Sequence, residues 1–285
     1  MNKKKIFQAV LVILLLAFSF YYTDKSIELI REIDPIMKQI KLTTEKYTIK
    51  PVDAKIVGNK ITPGKSGKQI DYDESYSKMK QYGNYNEALT TFKELQPTVS
   101  INDYYDKFVV GGNSENKSAA LVFELKDQNN PNNIISTLKD KNTTATFFID
   151  GLYLENNLNL IKEMTPYELE ILSYNNKYEE IYFRSSLNYL SSITNKNPKY
   201  CYATYDQKEI IELCSKLKLH TIVPTILAKN YPYKDVKEKL TNASIISLPV
   251  NSSTEIELPT IIDYLKQRGF SLLTLDELLS ENFEK

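Results

Sequence analysis

Behind Lys3-Lys4-Lys5 the chain runs apolar from Ile6 to Tyr22, broken only by Gln8 and Ser19. About seventeen residues is the short limit for a membrane-spanning helix, and it suits the core of a signal sequence equally well. Ala17-Phe18-Ser19 meets the small-residue requirement of a cleavage site, whereas Phe20-Tyr21-Tyr22 resembles the interfacial belt that closes a membrane helix. Either reading leaves the lysines inside and everything after Thr23 outside, and the anchor, the preferred one, predicts a single-pass membrane protein with its bulk extracytoplasmic.

Residues 24–50 are polar, with Ile27, Ile30, Ile33 and Met37 at helical spacing and a break at Asp34-Pro35. This predicts a juxtamembrane helix and tether. The 51–112 stretch reads as a small α+β module. Strands are expected at Ala54–Val57, Lys60–Thr62, Thr98–Ile101 and Phe108–Val110, with a helix over Asp73–Tyr82 stopped by Gly83. From Ser118 a different rhythm begins. Apolar strands at Ala119–Phe123, Ala145–Ile149, Leu169–Leu172, Tyr200–Ala203, His220–Val223, Ser244–Leu248 and Phe270–Leu273 alternate with amphipathic helices. Such alternation means βαβ units and parallel pairing, in a doubly wound sheet or an eccentric barrel. The domains predicted are therefore 1–23, 24–50, 51–112 and 118–285.

Composition removes several classes of function. Lysine plus arginine and aspartate plus glutamate are both 36, so there is no basic surplus for a dedicated nucleic-acid binder. One histidine, His220, excludes any site built on two, and the two cysteines, Cys201 and Cys214, exclude a Cys-rich zinc module. Outside the membrane those cysteines form either a disulfide or two buried thiols. Gly64-Lys65-Ser66 suggests a phosphate loop, but the full glycine spacing is missing and a turn is the better reading.

Three stretches share an order with a known family. They are Ala120-Leu121-Val122-Phe123, then Ala145-Thr146-Phe147-Phe148-Ile149-Asp150-Gly151, and finally Ala243-Ser244-Ile245-Ile246-Ser247-Leu248 with the helix, strand and helix that follow. Residues 118–281 thereby resemble the polysaccharide deacetylase (NodB-like) family. The resemblance implies a distorted (β/α) barrel, and a metal held by one aspartate and two histidines beside a second aspartate acting as base. On this chain the two aspartates fall on Glu124 and Leu125, the histidines on Tyr174 and Tyr178, the arginine of a later motif on or near Cys201, and a late histidine on Pro249. The resemblance therefore implies the fold without the hydrolase, with no metal and no cofactor.

What remains is a binding or scaffolding role toward cell-envelope glycan or envelope proteins. If the correspondence holds, Tyr174, Tyr178, Tyr202 and Tyr205 line the former active-site mouth, where a phenol face can stack on a sugar ring. The alternative use of tyrosine is to fill a half-buried rim. A different class of function is a metal-independent deacetylase or hydrolase using Glu124. His220 reads as a strand-start or core-edge residue.

Overall fold

A computed structural model describes residues 3–126 and 128–283 of the 285. The side chains of Lys3, Lys4, Lys5, Ile6, Gln8, Ala9, Asp24 and Ile27 lie outside the described part, so the expected lysine flank is seen only as backbone. The first half of the chain holds α1 (Lys3–Ile33), α2 (Pro35–Tyr47), β1 (Lys55–Val57), β2 (Lys60–Thr62), β3 (Gly67–Ile70), α3 (Tyr72–Tyr82), β4 (Phe92–Leu95) and β5 (Phe108–Val109). It continues with β6 (Ser118–Leu125), α4 (Asn132–Asp140), β7 (Thr146–Ile149), α5 (Gly151–Asn156), α6 (Leu158–Glu163) and β8 (Glu168–Ile171). The remainder holds α7 (Glu180–Thr194), β9 (Tyr200–Tyr202), α8 (Lys208–Lys216), β10 (His220–Ile222), β11 (Ile226–Leu227), α9 (Pro232–Lys239), β12 (Ser244–Leu248), α10 (Ser252–Gln267), β13 (Ser271–Leu273) and α11 (Leu275–Leu279).

These elements form two compact units, Met1–Pro51 with Gly67–Leu95, and Val52–Ser66 with Gln96–Lys285. The 51–112 stretch, expected as one module, is thus divided between them. The reason lies in strand pairing: β1 and β2 join β5, β10 and β9 in one sheet, whereas β3 pairs with β4 and, through Lys68, with Ile49 of the first unit.

In the first unit α1 ends where proline forbids continuation. Asp34 accepts a hydrogen bond from the Ile36 amide at 2.8 Å and caps α2, with Pro35 at its first position. Ile36, Ile40, Ile70 and Met79 form the core of this unit, ringed by Tyr47, Tyr72, Tyr76 and Tyr85. Asp34 also takes the Lys80 ammonium at 2.6 Å, and this contact holds its carboxyl below the usual range. The segment Val10–Ile33 of α1 is long and apolar enough to cross a membrane, a property shared with signal sequences.

The second unit is the α/β barrel. Its two sheets run β1-β2-β5-β10-β9 and β11-β12-β6-β7-β8, with β13 also pairing β6; apart from β1–β2 the pairs are parallel. The central strand β6 is buried on both faces, which explains its unbroken apolar sequence. Ala119, Leu121, Phe123 and Leu125 join the layer packed on the helices, while Ala120 and Val122 face the interior with Phe148, Tyr200, Tyr202, Ile222 and Ile245. Fully burying such a side chain is worth roughly 1.5–3 kcal/mol, so these two layers hold the strands in place. The strand expected at Thr98–Ile101 is absent. Asp53 takes the amides of Thr98 and Val99 at 2.5 and 3.0 Å, and Ser100 starts a capped 3-10 turn over Ile101–Asp103. Local side-chain acceptors displace ladder pairing there.

Candidate functional site

Function in parallel α/β folds concentrates at the carboxyl ends of the strands. Glu124 and Leu125 close β6, and strand alternation sends them to opposite faces. Leu125 is fully buried in the helix-side layer. Glu124 faces the interior end and receives Lys126 Nζ at 3.3 Å. Two phenols share its field. Burial first, then Glu124, pushes Tyr178 up to about 12, and the same two causes, in the same order, raise Tyr202 well above the ordinary tyrosine value. Tyr202 also exchanges a 2.8 Å hydrogen bond with Ser247 of β12. Glu124, Tyr178, Tyr202 and Ser247 therefore form one polar cluster at the barrel mouth.

The loop that carries Tyr174 and Tyr178 is held from below by Asp150. This carboxylate, 3% exposed, accepts from the Ser173 hydroxyl at 2.6 Å and from the amides of Leu152, Asn175 and Asn176 at 3.0 Å each. Asn175 and Asn176 both adopt left-handed backbone, which turns successive amides toward one acceptor. Gly151 is required beside it. A Cβ there would stand 2.1 Å from Ser186 Oγ and 2.6 Å from the Tyr174 ring.

The four sequence-predicted tyrosines separate. Tyr178 is half-buried over Glu124. Tyr202 is 2% exposed and packed against Phe148 at 5.2 Å, so its ring offers no face to a sugar, contrary to expectation. The cause is its inward position on β9, and only its hydroxyl belongs to the cluster. Tyr174 turns aside, stacks on Tyr182 at 5.1 Å and donates to Glu155 at 3.3 Å. Tyr205 stands exposed on the loop before α8. Sequence reasoning missed Asp150, Ser247 and Tyr182; only the Asp150-Gly151 pair carried a signal, a capping residue at a strand end ahead of a helix.

The family's catalytic metal has no place here. Leu125 has no donor atom, the Tyr174 hydroxyl serves Glu155, and the raised Tyr178 phenol keeps its proton at neutral pH. Among the described residues no group of three or more His, Cys, Asp or Glu stands together to hold an ion. Cys201 and Cys214 are joined in a disulfide, with Cα atoms 6.3 Å apart, tying β9 to α8. At Gly64-Lys65-Ser66 the Gly64 amide already donates to the Glu281 carboxylate at 2.6 Å, which takes the direction a phosphate would need.

The opposite, amino end of the strands carries a second group of polar residues. Glu170 is buried and accepts from the amides of Lys199 and Tyr200; burial, and then Glu168, raise it well above the ordinary carboxylate value. Asp276 receives Lys199 Nζ at 2.7 Å and the Tyr200 hydroxyl at 3.0 Å. His220, first residue of β10, is 5% exposed, and burial lowers it to about 4.

Comparison with known proteins agrees with this architecture. Residues 111–222 match the family model of polysaccharide deacetylases. The structure resembles BA3943 of Bacillus anthracis, a CE4 family pseudoenzyme, with TM-score 0.67 and 24% identity over 88% of this chain and 97% of that one. A family 4 carbohydrate esterase, PdaA of Bacillus subtilis, aligns at TM-score 0.52 and 21% identity over 62% of this chain and 86% of that one. In sequence the chain is 23% identical to the uncharacterized protein YlxY of Bacillus subtilis, over 87% of this chain and 84% of the relative. The barrel thus has the CE4, NodB-like deacetylase fold, with the family match confined to residues 111–222.

Proposed function

We propose that this protein is a membrane-anchored, extracytoplasmic pseudoenzyme that binds cell-envelope glycan at the barrel mouth. The observation that carries the reading is the cluster of Glu124, Tyr178, Tyr202 and Ser247, which retains hydrogen-bonding groups where a deacetylase acts and supplies no nitrogen ligand. Around it, Tyr205, Tyr182 and Ile181 are exposed on segments that follow strand carboxyl ends. Aromatic faces beside fixed acceptors suit a pyranose ring. The similarity to a CE4 pseudoenzyme supports the loss of chemistry, and a BA3943 mutant with restored enzymatic activity is among the similar structures. Anchoring rests on Val10–Ile33 behind the lysine-rich start, and a scaffold for envelope enzymes is the form the function takes if glycan does not bind.

The test is sedimentation of the full chain, in detergent micelles, with insoluble peptidoglycan. Retention without acetate release, weakened by Tyr178→Ala and Tyr205→Ala, supports the reading. Acetate release abolished by Glu124→Gln establishes the metal-independent hydrolase instead.

A further inference from the structure

At the amino end of the barrel strands lies a cavity of about 660 Å³, lined in part by Asn102, Tyr105, Asn116, His220, Lys218 and Glu281. This size is within the usual range for small-ligand sites, about 300–1,000 Å³. We propose that it is a second binding site, separate from the mouth, for an uncharged, hydroxyl-rich saccharide unit.

Charge gives the first argument. Three lysines (65, 199 and 218) meet three acids (276, 277 and 281), so the lining carries no net charge. The acids are already committed. Asp276 holds Lys199 and Tyr200, Glu277 accepts the Thr274 amide, and Glu281 accepts the amides of Gly64 and Ile101 and the Ser100 hydroxyl. A charged ligand gains little there, while the carboxamides of Asn102, Asn113 and Asn116, whose oxygens serve His220, Glu115 and Lys65, offer NH2 donors to a hydroxyl-rich ligand.

His220 gives the second. Its ring is stacked on half-buried Tyr105 at 4.5 Å and 18°, which makes a flat wall. Nε2 faces Asn102 Oδ1 at 3.3 Å, and an amide oxygen only accepts, so the proton sits on Nε2. Nδ1 is then a bare acceptor, and it has no partner. A buried acceptor left unpaired is costly, and a sugar hydroxyl is the donor that would satisfy it. Nδ1 is shielded from solvent, so a hydroxyl reaches it only as the ring or its cover shifts, while Asn102 stays on Nε2 and holds the tautomer. Lys218 holds a left-handed backbone at φ 56° beside this wall, a conformation uncommon outside glycine and asparagine.

Because His220 is the only histidine, its ring signals are unambiguous in a histidine-labelled full chain in micelles. Titration with tetra-N-acetylchitotetraose to about 10 mM should move them saturably, with affinity weakened about tenfold or more by Tyr105→Ala and by the surface change Asn102→Ala. Tyr178→Phe at the mouth should leave the titration unchanged. Signals that stay still with sugar, or that respond to inorganic phosphate instead, overturn the proposal. Loss of the response in Tyr178→Phe while Tyr105→Ala and Asn102→Ala keep it also overturns this site and leaves the mouth reading standing.

Discussion

The two ends of the barrel have kept different things. At the carboxyl end Leu125, Tyr174 and Tyr178 offer no nitrogen ligand, while Asp150 gathers the loop at 173–176 and Glu124 faces the mouth. At the amino end, beside the cavity, Glu170 and His220 are buried. Glu168 and Glu170 accept amides that start α11 and β9, and His220 sits neutral under Tyr105. The comparison teaches that a site is defined by donor atoms in position, whereas the frame around it is held by packing and backbone acceptors that outlast the chemistry.

Breaking the frame at the mouth should give the largest effect. Asp150→Ala leaves three part-buried amides and the buried Ser173 hydroxyl without their acceptor, so we expect a loss on the order of 2–4 kcal/mol in denaturant unfolding. A loss below about 1 kcal/mol would show that the loop is held by other contacts. Removing the disulfide with Cys201→Ser and Cys214→Ser should cost about 3 kcal/mol, read as a lower unfolding midpoint.

The amino end is sharpened by pH. Since burial lowers His220 to about 4 from 6.5, the unfolded chain takes a proton first as pH falls, and stability is lost between about pH 6.5 and 4. The span corresponds to a few kcal/mol at most, and His220→Phe should remove that part of the pH slope while keeping the stacked wall. An unchanged slope would place the imidazole in solvent. Glu170 has the opposite sense for its type. Its raised carboxyl favours the protonated form in the fold, so its contribution is lost as pH rises from the unfolded value of 4.5 through the folded one. Glu170→Gln keeps an oxygen for the Lys199 and Tyr200 amides and should change neutral-pH stability by less than about 1 kcal/mol, or raise it. A large destabilisation would mean that the carboxylate is ionised and needed.

Much of the barrel was legible because its central strands are buried on both faces. The apolar runs at 119–123, 145–149 and 244–248 leave no other reading. β3 and β4 were not legible, since Gly67-Lys68-Gln69-Ile70 and Phe92-Lys93-Glu94-Leu95 are too polar to mark a strand. β11 is two residues long and α9 is rich in lysine, so neither leaves a periodic signal. At the site, the strand-end place of Glu124 and the single histidine were legible in the sequence, and the correspondence of 125, 174 and 178 to ligand positions is what the family resemblance implies. The burial of Tyr202, the turn of Tyr174 toward Tyr182 and the grip of Asp150 were not legible, because each depends on residues brought together only by the fold.

The central claim is that the deacetylase frame survives without its metal. Metal analysis of the full chain in micelles after dialysis against zinc, paired with an acetate-release assay on N-acetylglucosamine oligomers, tests it most directly. The donor set at 124, 125, 174 and 178 predicts no stoichiometric ion and no acetate above background. One tightly held ion per chain, or acetate release that Glu124→Gln abolishes, would contradict it.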